Sequence, residues 1–470
     1  MLASLLSACV HVKPECSTHG GTAWLELTSQ HFVVSTNLEP AAARAAVVQL
    51  EFIRAAELGA FPSTGTTAPL EVVVFADPAQ LHELSSDPSL DAALLHDWRG
   101  AMLLTANSTT FMGATQLSLT LHELAHHYSA AALKRAPKWF DEGLAIYLET
   151  LVLDADAKTA VRGVAHQARL NEATTWGILS IESLWSWDGE LESPHGVELH
   201  RAASSWFWVH WLFNEQRPAL DRFMRALAEG TEPRSAWATA FGTLTTESMK
   251  QAAAAYLEAG KSRSQKMDLS QLNVSLEEKL LTDAKVHALL ARVAGMTGAW
   301  PRAREDARTA ISLDAHDISA QEQNVVTQES VEARMNAGRQ LTQENAQDAV
   351  GWLLLGLALP PNDPERGQAL SLASELDPSS AMALSELASF RCAETRCSEG
   401  VQLAERAAEL APGNARVLAG TASVQLQAGL CSQAAVTQQR ALEVLPERAP
   451  LGLRKQLQSR LGDYVRCAGR

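Results

Sequence analysis

No stretch of this 470-residue chain runs to eighteen apolar residues, so it holds no segment suited to crossing a bilayer as a helix. Basic residues are scarce as well: 39 Lys and Arg stand against 54 Asp and Glu, for a formal charge of −15. Nucleic-acid binding is driven by clustered Lys and Arg, so that class of function is excluded. Cysteines number six and none shows CxxC spacing, which argues against a structural zinc cluster. Disorder is excluded by composition, since 46% hydrophobic and 20% charged residues describe a chain that folds around a core. The length exceeds one typical domain and implies two or three.

The N-terminus lacks the basic segment and long apolar core of a full signal peptide. What is present is Leu6-Ser7-Ala8-Cys9, which resembles a bacterial lipobox. That resemblance implies a lipid on Cys9, a place in the bacterial cell envelope on its periplasmic or surface side, and membrane contact by this anchor only. The alternative is a cytoplasmic protein with an apolar first turn. Of the other cysteines, Cys392 and Cys397 lie across an expected helix-helix turn, and Cys431 and Cys467 lie in the last repeat and its end cap. Two local disulfides would suit an oxidising compartment, and buried free thiols are the ordinary alternative.

The run His122-Glu123-Leu124-Ala125-His126 carries the most chemistry. Helical positions i and i+4 share a face, so His122 and His126 can present two imidazoles to one ion. A catalytic zinc takes three protein ligands and keeps one position open, and Glu142, in Trp139-Phe140-Asp141-Glu142-Gly143-Leu144-Ala145, is the natural third. Glu123 is placed to take a proton from a metal-activated water and later pass it to a leaving amine. Glu149, two turns beyond Glu142, can hydrogen-bond a ligand imidazole or be a solvated surface carboxylate. His127 points about 100° away from His126 and is not read as a ligand.

Upstream, Phe32–Ser35, Leu70–Phe75 and Ala101–Thr105 read as strands, with an alanine-rich helix between the first two. The motif helix is expected from about Ala114 to Leu133, and Pro137 separates it from the helix carrying Glu142. This order, with HExxH and Trp-x-x-Glu-Gly-x-Ala at residues 122–126 and 139–145, resembles the gluzincin metallopeptidases of the peptidase MA-like superfamily. The resemblance implies one zinc ion, peptide or protein substrate, and an exposed edge strand at Ala101–Thr105 that pairs with extended substrate. It also implies an oxyanion-stabilising tyrosine near residues 200–205, where none stands; His200, Arg201 or Tyr147 are the candidate donors. The apolar stretch Leu199–Phe213, rich in tryptophan, reads as core.

From about residue 283 alanine-rich helix pairs take over. Pro378, Pro412 and Pro446 fall 34 residues apart, as do Ala373, Ala407 and Ala441, which is the period of tetratricopeptide repeats. An earlier unit holds Ala303, Ala307, Ala310 and Asp314, residues 316–349 read as a degenerate repeat, and Leu453, Leu457 and Leu461 form a cap.

The expected organisation is a lipobox-like remnant and tether over 1–22, a gluzincin-like domain over 23–258, a linker over 259–282 and repeats over 283–470. The fold class is thus an α+β metallopeptidase domain, a small sheet with helices, followed by an all-α tetratricopeptide solenoid. The implied function is a zinc peptidase whose repeats bind a protein partner. The rival is a weak or inactive peptidase-fold scaffold acting through its repeats.

Overall fold

The computed structural model describes residues 21–62, 68–106, 113–154, 158–187, 195–260, 263–445, 449 and 451–469. The expected lipidation site Cys9, most of the tether, Cys16 and Pro446 lie outside the described residues.

Among the described residues nine strands form two sheets: β1 (Leu25–Thr28), β2 (Phe32–Thr36), β3 (Leu70–Phe75), β4 (Ala93–His96), β5 (Ala101–Ala106), β6 (Val152–Leu153), β7 (Thr159–Arg162), β8 (Gln265–Asp268) and β9 (Glu277–Leu280). The larger has the order β4-β5-β3-β2-β1-β9, with β2, β3 and β5 parallel and the outer pairings antiparallel. The smaller has the order β6-β7-β8. Residues 259–282, expected as linker, therefore supply a strand to each sheet.

Alternation along the strands sends side chains to opposite faces. Val72 and Val74 join Val34 and Leu103 on one face, which packs on α1 (Pro40–Leu58). Val73, Phe75, Met102 and Leu104 point the other way, towards the short α2 (Pro78–Glu83), which opens on a capping box at Asp77. The first face also carries the motif helix α3 (Gly113–Ala132) and then α4 (Lys138–Leu148), whose entry is marked by Pro137. Helices α5 (Gln167–Trp176), α6 (Ile181–Leu184), α7 (His195–Glu215), α8 (Arg217–Ala228), α9 (Pro233–Phe241) and α10 (Thr246–Ala259) complete this half. The tryptophan-rich stretch of α7 is core, with Trp206, Phe207, Trp208 and Trp211 all buried.

Five helix pairs follow: α11 (Asp283–Met296) with α12 (Trp300–Leu313), α13 (Ile318–Thr327) with α14 (Val331–Glu344), α15 (Ala349–Ala358) with α16 (Pro364–Leu376), α17 (Ala381–Ala393) with α18 (Cys397–Leu410), and α19 (Ala415–Gln427) with α20 (Cys431–Glu443). Helix α21 (Leu451–Ala468) caps the array, burying Leu457 and Tyr464. A mixed sheet followed by a long array of paired helices is the architecture, and the pairs form a tetratricopeptide-like solenoid. Residues 316–349, degenerate in sequence, still make a full pair. There Gln321 takes over part of the packing role, donating to Glu344 at 2.6 Å and accepting from Asn345 at 2.7 Å. Disulfides join Cys392 to Cys397 and Cys431 to Cys467.

The array is not hung from the sheet by a tether. Val286, Leu290 and Val293 of α11 and Ala303 of α12 share one buried cluster with Val73, Phe75, Met102 and Leu104. The first helix pair is the layer that covers the sheet's second face.

Candidate metal centre

Helix α3 stacks His122 over His126, and α4 brings Glu142 alongside. The two Nε2 atoms lie 3.0 Å apart, and each is 3.8 Å from Glu142 Oε2. These three residues are the group of metal-ligating side chains found together among the described residues. Zinc bonds of about 2.0–2.1 Å at tetrahedral angles would set ligand atoms roughly 3.3 Å apart, which these separations bracket.

The partners on the far side of each ring decide which lone pairs are free. Glu149 accepts from His122 Nδ1 at 2.6 Å, and Asp141 accepts from His126 Nδ1 at 2.8 Å. With both Nδ1 atoms donating, the two Nε2 atoms face each other, placed either to share a proton or to ligate one cation. With Glu142 beside them the donor set fits a metal, which would compete with that proton for the same lone pairs.

The carboxylates are themselves held. Ser129 donates to Asp141 Oδ1. His166 caps α5 by accepting from the Arg169 amide at its Nδ1, so its Nε2 carries the hydrogen given to Glu149 at 3.1 Å. Glu149 is pulled down to about 2: burial would raise it, but the hydrogen bonds from His122 and His166 outweigh that. Burial would also discharge His126, yet Asp141 and Glu142 raise it to about 10. The same negative surroundings that draw a proton there would draw a divalent cation. The side chains keep 20%, 24% and 13% of their surface open for His122, His126 and Glu142, which leaves the centre accessible.

Glu123 lies beside the ligands without joining them, and its Oε2 accepts from the Leu94 amide of β4 at 3.0 Å. This corrects the expected edge. Ala101–Ala106 is flanked by β3 and β4, so the edge next to the centre is β4, too short to be read from four residues. In the β4–β5 hairpin the Asp97 amide bonds the Gly100 carbonyl. Alternation then turns the Leu94 and His96 amides away from β5.

Tyr147 is buried, stacks on Phe213 at 4.4 Å between ring centres and interacts with Arg162. His200 bonds the Gly177 carbonyl at 3.1 Å, and Arg201 pairs with Glu198 at 3.2 Å. Asp141 and His166 went unread. The first was adjacent to a ligand and open to inference, but His166 gives no signal in sequence.

No family model matches the chain, and neither does any curated protein. Similar solved structures include a thermophilic TPR protein of Thermus thermophilus, at 16% identity over 39% of this chain and 98% of that one, with a TM-score of 0.33. Another is YrrB, a TPR protein with an unusual peptide-binding site, at 17% identity over 37% of this chain and 91% of that one, TM-score 0.27. The pilF protein of Pseudomonas aeruginosa stands at 14% identity over 38% and 88%, TM-score 0.31. Likeness at this level carries no argument, and the array is recognised by its own helix pairs.

Proposed function

We propose that the protein is a zinc-dependent peptidase with a repeat domain that binds protein. The observation that carries this is the convergence of the His122 and His126 Nε2 atoms and Glu142 into one potential ligand set, with Glu123 beside it. His122, His126 and Glu142 would hold the ion. When bound, it supplies a Lewis acid that brings the pKa of a water to about 7. The Glu123 carboxylate takes a proton from the attacking water and delivers it to the departing amine. Glu149 and Asp141 keep each imidazole in the ligating tautomer. On the β4 edge the Leu94 amide is held by Glu123, which leaves the outward His96 amide for backbone contact with an extended peptide. His200, Arg201 or Tyr147 is the donor proposed for the developing oxyanion. Lipid on Cys9 would place this chemistry at a bacterial envelope membrane.

Zinc per chain, measured on the full protein beside His122→Ala, tests the reading. About one ion, lost in the variant, supports it; none after incubation with zinc salt sinks it. A second reading is a protein-binding scaffold, supported by the complete repeat array and by the missing tyrosine. It predicts zinc or no zinc, but no hydrolysis of unfolded protein under any condition.

A further inference from the structure

Three consecutive residues at the β4–β5 turn are each gripped by the repeat array. Asp97 receives Arg292 of α11, Nε at 2.5 Å and Nη2 at 2.9 Å, while Arg292 also bonds Glu71. Trp98 packs against the buried cluster of Val325, Leu341 and Leu354 and against that of Leu353 and Leu370. Arg99 binds Glu322 of α13, Nε at 3.0 Å and Nη2 at 2.5 Å, with Glu322 only 1% exposed. Arg292 and Asp97 are likewise 8% and 5% exposed, so that pair is interior, while Arg99 reaches from a 30% exposed position into a buried carboxylate. The strand they hold is four residues long and has a single sheet neighbour. Three residues before Asp97 on that strand is Leu94, whose amide holds Glu123.

We infer that the repeat array is a working part of the candidate peptidase site: by clamping Asp97, Trp98 and Arg99 it fixes β4, and through the Leu94 amide it orients Glu123. This rests on the peptidase reading for its consequence in catalysis, but the clamp itself can be read without it. Trp98 is a positioning residue, since it touches neither ligands nor base. Occupation of the array by a partner that shifted α13 or α15 would then reach Glu123 through the hairpin.

The Leu94 amide is a selective reporter, because it bonds Glu123 and not the strand ladder. The experiment compares the full chain with Trp98→Ala and Trp98→Phe. It measures hydrogen exchange resolved to β4, zinc per chain, and kcat and KM on an unfolded protein. Trp98 Nε1 has no hydrogen-bond partner among the described residues, so Trp98→Phe breaks no bond and should behave as the parent. Trp98→Ala should speed Leu94 exchange roughly tenfold and lower kcat with KM little changed, while zinc stays at the parent level. Unchanged Leu94 exchange overturns the inference; loss of zinc also overturns it, by showing that the hairpin supports the ligands instead. If Trp98→Ala does not fold, Glu322→Gln replaces it with the same expected readings. Should the parent bind no zinc, the peptidase reading fails, and Leu94 exchange still decides whether the clamp exists.

Discussion

Each imidazole of the donor set has its Nδ1 hydrogen committed to a carboxylate, which is why so few residues are enough to prepare a metal site. Asp141→Asn should keep the fold and weaken zinc binding by about 10–100-fold, read by competition with a chelator. Glu123→Gln should keep zinc and lower hydrolysis by roughly 10²–10⁴-fold; equal activity would falsify the role given to Glu123. A different carboxylate sets a pH dependence of stability. Glu57 is fully buried, neither of its oxygens has a hydrogen-bond partner among the described residues, and burial holds its pKa well above the usual carboxylate range. A raised folded value means that the native state binds the proton more tightly than the unfolded chain. The corresponding stability is therefore full below the unfolded value near 4.3 and is lost as pH rises towards the folded one. Glu57→Gln should remove that loss, so its melting temperature relative to the parent should climb by a few degrees between pH 4.5 and 8.

Among elements, the contact of α4 with α7 explains the glycine that follows the third ligand. A Cβ on Gly143 would lie 2.5 Å from the Ser205 carbonyl oxygen and 2.8 Å from Val209, and the first is backbone that cannot swing aside. Gly143→Ala should push α4 off α7 at a cost of about 1–3 kcal/mol and carry Glu142 and Glu149 with it. Zinc per chain at a fixed, limiting zinc concentration should fall together with the melting temperature. Helices of this kind were legible, because HExxH and the Glu142–Glu149 spacing have helical periods that depend on local chain geometry alone. Strand β9 was not. Its Glu277-Glu278-Lys279-Leu280 is exposed throughout, with no alternation to mark it, and it is a strand only because β1 offers an edge. Strand β4 was hidden by its length of four residues, and its pairing with β5 makes it, not β5, the edge of the sheet.

Across the whole molecule, the first helix pair of the array and one face of the sheet share a buried cluster. Cutting after residue 258 would remove β8 and β9 and uncover Val73, Phe75, Met102 and Leu104. At roughly 1.5–3 kcal/mol for each buried side chain, those four alone rival the 5–15 kcal/mol that holds a domain folded. A 1–258 fragment should therefore be insoluble or unfolded by circular dichroism, and the sheet-bearing half is not expected to fold alone. At the array's far end the turn before α19 comes back to the motif helix, where a Cβ on Gly413 would stand 3.1 Å from Ala130.

By itself the sequence determined what depends on neighbours along the chain: the stacked histidines, Glu123 between them, Glu142 seven positions before Glu149, and the 34-residue period of the helix pairs. It set the cysteines near one another within a repeat or its cap but left free thiols as open as disulfides, and the structure forms the two bonds. Only the tertiary structure decided that His166 steadies Glu149, that Leu94 faces Glu123, and that α11 is a layer of the sheet. Those contacts join residues far apart in sequence, and what makes them is burial of apolar faces and pairing of buried polar groups, neither of which has a period that a chain can display.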